Sequence, residues 1–144
     1  MSYERTVFEN DTLVDAAEVL NKFDAAIADL YGKVNGELVW ENADTTATFA
    51  AQTVSIESDK RVEYYEIIYR ARTTTAKDLY VTSGKIPIGL VCNLFNYDAS
   101  SYYRTVTPSQ ADNGTVSLTF ANALSGSTTS NGSLIPYQIK FYYE

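Results

Sequence analysis

Residues 13–34 read LVDAAEVLNKFDAAIADLYGKV, and their apolar positions have the spacing of a coiled coil. Steps of three and four residues alternate along one stripe, with Val34 just beyond its end: Leu13, Ala16, Leu20, Phe23, Ile27 and Leu30. A mean spacing of 3.5 residues is typical of the a and d positions of a heptad repeat. The stretch therefore predicts an amphipathic helix of roughly twenty residues.

The residues on either side of this stretch suggest where the helix begins and ends. Residues 10–12 read NDT, which are good capping residues, and Asp15 resembles a short version of the capping-box acid. Gly32 is the predicted C-terminal stop. Residues 3–8, before the caps, predict a short strand or an extended arm.

The flanking heptad positions bear on how the stripe is covered. The e and g positions are mostly apolar: Ala17, Val19, Asp24, Ala26 and Tyr31. A two-stranded coiled coil usually carries charges there, so this wider apolar face favours three or more associated helices. The alternative is that the stripe packs against a sheet of the same chain, as amphipathic helices commonly do.

After residue 36 the apolar residues alternate with polar ones, as in half-buried strands. Strands are predicted at 37–41, 46–57 with a break near 50–51, 61–72, 76–82, 86–95, 101–107, 115–121 and 134–143. The polar tract 125–133 is interpreted as a long mobile loop. The pattern predicts a mainly β protein, with an N-terminal arm and helix in 1–35 and a jelly-roll-like antiparallel β-sandwich in 36–144.

Charge and composition exclude several kinds of partner. The chain has 144 residues, 18 acidic and 11 basic, with a net charge of −7, so it lacks the cationic surface that nucleic acids require. Neither a signal peptide nor a membrane span is recognisable, and synthesis in a cytosol is expected. Cys92, the single cysteine, lies in the apolar run 86–95 and is predicted to be buried.

The chain is poor in catalytic groups. It has no histidine, which removes the usual general base and the most common transition-metal ligand. Carboxylate pairs remain as candidates for glycosidase chemistry, but solvated surface charges are the simpler interpretation: Glu63 with Glu66, and Glu41 with Asp44. The sequence therefore predicts a protein without enzymatic activity, cofactor or metal.

Tyrosine is the strongest positive signal for binding. Twelve tyrosines are present, and three of them flank residues 98–101, namely Tyr97, Tyr102 and Tyr103. Tyrosine suits surfaces that are partly apolar and partly wet, which makes these three the candidate ligand-binding residues. The alternative is that they fill the core and edges of the strands.

Several segments of the β-region resemble a module found in virion appendage proteins of tailed bacteriophages. They read LVW (38–40), ATFAAQTVSI (47–56), YEIIY (65–69), RTV (104–106), VSLTF (116–120) and LIPYQI (134–139). Tail-fibre, baseplate-associated and head-fibre subunits are among the proteins that carry this module. The resemblance covers about residues 37–143 and implies a jelly-roll-like homotrimer attached to other virion proteins through its N-terminal segment.

Together these observations predict a structural protein of the bacteriophage virion, located in an appendage. Its β-domain would face outward, with host-surface glycan as the candidate ligand and with no nucleic-acid or membrane partner. The alternatives are a free-standing carbohydrate-binding module or adhesin, a capsid decoration protein, and a small glycan hydrolase that uses paired acids.

Overall fold

The computed structural model describes residues 16–71, 79–96 and 101–144. Leu13, the predicted arm and the predicted start of the helix lie outside these ranges. The described residues form a helix, α1 (Ala16–Asn35), and the strands β1 (Glu37–Glu41), β2 (Gln52–Glu57), β3 (Val62–Ala71), β4 (Leu79–Thr82), β5 (Ile86–Pro87), β6 (Cys92–Phe95), β7 (Tyr102–Gln110), β8 (Thr115–Phe120), β9 (Leu124–Ser125), β10 (Thr128–Thr129) and β11 (Ile135–Tyr143).

The helix ends later than the sequence predicts. Gly32 lies within α1, and the last helical residue is Asn35. Gly36 follows with a φ of 74°, the left-handed conformation that a glycine just after a helix adopts without a steric penalty. The prediction of Gly32 as the stop is therefore wrong, and Val34 extends the apolar stripe inside the helix. No helix in the described ranges has the combined length and hydropathy needed to cross a membrane.

The strands that follow this helix in the chain form two antiparallel sheets that face each other. Sheet A has the order β1-β11-β3-β4, with β5 also paired to β3, and sheet B has the order β10-β9-β7-β8-β2, with β6 also paired to β7. β1 pairs with β11, and β2 pairs with β8. Strands that are far apart in sequence therefore lie side by side in both sheets. This arrangement confirms the prediction of a mainly β protein in which one N-terminal helix precedes a β-sandwich.

Three predicted segments differ in detail from the observed strands. The predicted strand 46–57 is a strand only over Gln52–Glu57, and residues 46–51 form turns and irregular structure. The predicted strand 86–95 is divided into β5 and β6, because the Leu90 N–H bonds the Pro87 carbonyl at 2.9 Å and closes a turn. The tract 125–133, interpreted as a loop, contains the β9–β10 hairpin. Its Asn131 side chain accepts a hydrogen bond from the Ala123 N–H at 3.0 Å and donates one to Asn122 Oδ1 at 2.9 Å. These amide contacts give the tract a fixed course without an apolar alternation.

The core lies between the two sheets and is formed by alternate residues of the long strands. Phe49, from the segment between β1 and β2, closes one end, with its ring edge-on to Phe120 at 5.4 Å and to Trp40 at 6.5 Å between centroids. Cys92 is buried as predicted, and this burial raises the pKa of its thiol. The largest fully buried apolar side chains are Tyr65, Ile67, Leu94, Leu118, Phe120, Leu134, Ile135, Ile139 and Phe141.

A charged side chain, Arg104, is also fully buried in this core. Its guanidinium donates to three backbone carbonyls: Nε to Leu134 at 3.0 Å, Nη1 to Ala121 at 2.8 Å and Nη2 to Ser133 at 3.2 Å. None of the carboxylates in the described ranges forms an ion pair with it. Burial lowers the pKa of Arg104 to about 10. The charge is therefore solvated by backbone dipoles from both ends of the segment 121–134.

Replacing this guanidinium should destabilise the fold strongly. We expect Arg104→Ala to lower the free energy of unfolding by about 3 kcal/mol or more, because it leaves three buried carbonyls without donors and opens a cavity. Thr105→Ala, the next residue on the same strand but on the wet face, should cost under about 0.5 kcal/mol. Urea denaturation followed by tryptophan fluorescence measures both. Equal losses in the two variants would contradict a structural role for the guanidinium.

Candidate functional site

The apolar stripe of α1 is uncovered. Leu20, Phe23, Ile27, Leu30 and Val34 are each between 44% and 64% exposed, and the helix contacts the sandwich mainly at β11. The alternative in which these side chains pack on the chain's own sheet is therefore wrong. Ala16 lies in the first turn of α1, and its side chain and Leu13 are outside the described part of the chain. A continuous exposed apolar stripe is typical of a protein–protein contact surface.

Two ion pairs join charged side chains of the helix outside the a and d positions of this stripe. Lys22 pairs with Glu18 at 3.3 Å, and Lys33 pairs with Asp29 at 3.2 Å. Both pairs join residues four apart, which is the spacing that brings side chains together on a helix surface. The helix thus has a charged, solvated side and an apolar side that no described residue covers.

The contact between α1 and the sandwich is made through Gly36 and Tyr142. A Cβ at Gly36 would lie 2.7 Å from Cζ of the Tyr142 ring. The Tyr142 hydroxyl donates to Glu66 Oε1 at 3.0 Å, and the Thr82 hydroxyl donates to Glu66 Oε2 at 2.7 Å. Lys85 Nζ lies 4.0 Å from the centre of the same ring. Burial, with Glu66 as a second cause, raises the pKa of Tyr142 to about 12. The helix end is therefore fixed on a ring that is itself held on several sides.

Three of the four carboxylates considered for catalysis are engaged in structural contacts, and the fourth, Glu63, is exposed on β3. Glu66 accepts the two hydroxyl bonds just described, and Glu41 accepts a hydrogen bond from Gln138 at 2.6 Å. Asp44 accepts from the backbone and the hydroxyl of Thr46, and these bonds lower the pKa of Asp44. A general acid needs a raised pKa, so Asp44 is unsuited to that role. Over the described ranges, no group of three or more potential metal ligands was found.

The candidate tyrosines do not form one surface. Tyr97 lies outside the described residues. Tyr102 and Tyr103 are consecutive on β7 and point to opposite sides of sheet B: Tyr102 packs against the core, and Tyr103 is 36% exposed. Phe95, which sequence reasoning missed, is directly opposite Tyr103 on β6 and is 58% exposed. The signal that could have found it is its position two residues after the polar Asn93, because residues two apart in a strand lie on the same face.

These aromatic residues lie at the end of the sandwich opposite the helix. Tyr102 pairs with Ser125 and Tyr103 with Leu124, which brings β7 beside the tract 125–133. At the other end, β1 leaves the helix next to Phe141, near the end of β11. The structure therefore separates an apolar helix surface from an exposed aromatic pair by the length of the sandwich.

Comparison of the chain with protein-family models, with curated proteins and with solved structures found no match. The functional inference therefore rests on the geometry of these two surfaces and on the sequence features described above. The helix surface is the stronger of the two, because its apolar side chains are numerous, regularly spaced and uncovered.

Substitution at Gly36 should disturb the helix–sandwich contact. We expect Gly36→Ala to cost about 1–3 kcal/mol more than Gly126→Ala, because its Cβ would overlap the buried Tyr142 ring. Gly126 is a matched control: its φ is also positive, at 61°, but no atom lies within 4 Å of the added Cβ. Thermal unfolding followed by circular dichroism compares them. Equal stabilities would show that the Tyr142 ring moves aside without cost.

Proposed function

We propose that this protein is a structural subunit of a bacteriophage virion appendage, a tail fibre, baseplate or head fibre, and that it assembles as a homotrimer through α1. The observation that supports this proposal is the exposed heptad stripe Leu20, Phe23, Ile27, Leu30 and Val34. Full burial of each such side chain is worth about 1.5–3 kcal/mol, which favours association between copies of the helix.

The composition beside the stripe favours three helices over two. Val19 and Ala26 occupy g positions and Tyr31 an e position, so the apolar surface extends beyond the a and d residues. Tyr31 is 67% exposed and adds to the surface that association would cover. A wide apolar face matches the greater burial in three-stranded coiled coils, and Asp24 is the one charged residue among the described e positions.

The connection between helix and sandwich supports an anchored, outward-facing subunit. Only Gly36 separates α1 from β1, so the sandwich follows the helix without a linker. Twenty residues of α-helix extend about 30 Å, so Ala16, which follows the N-terminal segment, lies about that distance from the end of α1 that joins the sandwich. Attachment to other virion proteins through that segment would leave the β-domain facing outward, as the resemblance to virion appendage modules implies.

A binding role for the β-domain is the second part of the proposal. The exposed pair Phe95 and Tyr103, at the end away from the helix, favours contact with a host-surface glycan. A free-standing carbohydrate-binding module or adhesin would explain this pair but not the uncovered stripe on α1. A capsid decoration protein would explain the stripe but gives no reason for the aromatic pair.

A charge placed in the stripe should dissociate the assembly. We expect the full chain to have the mass of three copies in multi-angle light scattering, and Ile27→Asp to have the mass of one. Burying an unpaired carboxylate at the interface would cost several kcal/mol. Ala25→Asp adds the same charge on the opposite side of the helix and should remain trimeric.

The outcomes separate assembly from folding. Circular dichroism should show the strand signal of the sandwich unchanged in both variants, since the stripe contributes nothing to the core. A monomeric wild-type chain, or dissociation by Ala25→Asp as readily as by Ile27→Asp, would overturn assembly through this stripe.

We also propose that the protein has no catalytic activity. Incubation with polysaccharides and with peptidoglycan between about pH 4 and about pH 9 should release no products, because Glu41, Asp44 and Glu66 are held in structural contacts and the sequence has no histidine base. Reducing-end and mass-spectrometric assays would detect release. Turnover that Glu66→Gln abolishes would contradict this proposal and assign the chain to the hydrolases.

A further inference from the structure

The outer face of sheet B carries uncharged polar side chains in regular rungs. Residues opposite one another on neighbouring strands point to the same side, and the pairing of β2, β8, β7 and β6 places hydroxyls and one amide in register. The rungs are Thr53–Thr119–Thr107, Ser55–Ser117–Ser109 and Thr105–Asn93. This arrangement is a hydroxyl-bearing surface, and the core residues lie on its other side.

The rungs are partly bonded within themselves. The Thr53 and Thr119 hydroxyls are 3.0 Å apart, those of Ser55 and Ser117 are 3.1 Å apart, and Thr105 donates to Asn93 Oδ1 at 2.8 Å. A hydroxyl offers one donor and two acceptor sites, so each of these groups keeps capacity for a ligand. The internal bonds also hold the side chains in place, so these side chains would lose less conformational entropy when a ligand binds.

An apolar rung borders the hydroxyl rungs at the end away from the helix. Phe95 is opposite Tyr103, and Tyr103 is opposite Leu124 on its other side. Phe95 and Tyr103 are each two residues from the Asn93–Thr105 rung, about 7 Å away along the strands. The face therefore combines an apolar ledge with an adjacent row of hydrogen-bonding groups.

The chemistry of this face selects among ligand classes. The chain has 18 acidic and 11 basic residues, yet none of the rung residues is charged. Glu57 stands at the rim, where it accepts a hydrogen bond from the Thr115 hydroxyl at 3.0 Å. A face without cations cannot attract phosphates or carboxylates. Serine is depleted from protein–protein interfaces, whereas a ligand with its own hydroxyls and an apolar ring face matches both parts of the surface.

We propose that the outer face of sheet B binds a neutral polysaccharide, with Phe95 and Tyr103 as the apolar platform and Asn93, Thr105 and Thr107 as the hydrogen-bonding partners. This inference rests on the proposed function, because it names the ligand class and the surface of the outward-facing β-domain. It replaces the predicted group of Tyr97, Tyr102 and Tyr103 with residues that share one face. Three copies of the face in one assembly would strengthen weak individual contacts through avidity.

Affinity electrophoresis tests the proposal on the full chain. Native gels would contain dextran, galactomannan, xyloglucan or yeast mannan as neutral polymers, and polygalacturonate as the anionic one. We expect retardation by at least one neutral polymer and none by polygalacturonate. Phe95→Ala combined with Tyr103→Ala should weaken the interaction at least about tenfold, because the double variant removes both rings on which the apolar face of a sugar would pack. Thr107→Lys, which leaves both rings in place, should weaken it similarly.

Tyr80→Ala is the matched control, because Tyr80 is an exposed tyrosine, at 43%, on the other sheet. Retardation should be unchanged in this variant. Binding lost in Tyr80→Ala but kept in the double variant would place the ligand on sheet A and overturn the proposal. Absence of retardation by every neutral polymer, or retardation by polygalacturonate alone, would overturn it as well.

Light scattering on the same variants separates this proposal from the assembly proposal. The double variant and Thr107→Lys should keep the wild-type mass, and a change of mass would assign the face to contacts between copies instead. Ile27→Asp should retain binding with an affinity reduced to that of a single site. A wild-type trimer that binds no neutral polymer would overturn the ligand inference and leave the assembly intact.

Discussion

The buried guanidinium of Arg104 organises the end of the sandwich away from the helix. A charge in a core is tolerated only when its hydrogen-bonding groups are satisfied, and here the carbonyls of Ala121, Ser133 and Leu134 satisfy them. Those carbonyls come from the two ends of a segment rich in serine, threonine and glycine, which has little apolar surface of its own. Fixing both ends to one side chain gives this segment its course, including the hairpin that extends sheet B. Leu124, and with it the apolar rung on the outer face, is therefore placed by a contact inside the core.

Local periodicity explains why the sequence predicts the helix, most strands and the sandwich. The spacing of three and four residues and the alternation of two are properties of neighbouring positions, so they can be read without knowing the fold. The end of the helix could not be read in this way. Gly32 and Gly36 are both acceptable stops, and the Tyr142 ring, far away in sequence, fits against a glycine at position 36. The course of 125–133 was missed for a similar reason, because its order comes from amide side chains and not from an apolar pattern.

The two candidate surfaces differ in how much the sequence reveals. The apolar stripe is visible in the sequence, but whether the chain covers it depends on the direction in which the helix leaves the sandwich. The tyrosines show a different limit. A charged residue is ordinarily assigned to the wet side of a strand, which would place Arg104 there together with Tyr102. Burial of Arg104 reverses this assignment, so Tyr102 faces inward and Tyr103 is the ring that reaches solvent.

The positions of these surfaces have a consequence for the assembled protein. The apolar stripe of α1 and the outer face of sheet B can change independently in sequence, because the two surfaces share no residues. The proposed self-association through the stripe would place the net charge of several acidic chains in one particle, and the resulting repulsion would keep such particles apart in solution. A neutral polymer would not be subject to that repulsion. In the proposed assembly, hydrogen bonding and apolar contact at the outer face of sheet B, and not electrostatic attraction, would decide the affinity for an extended neutral polymer.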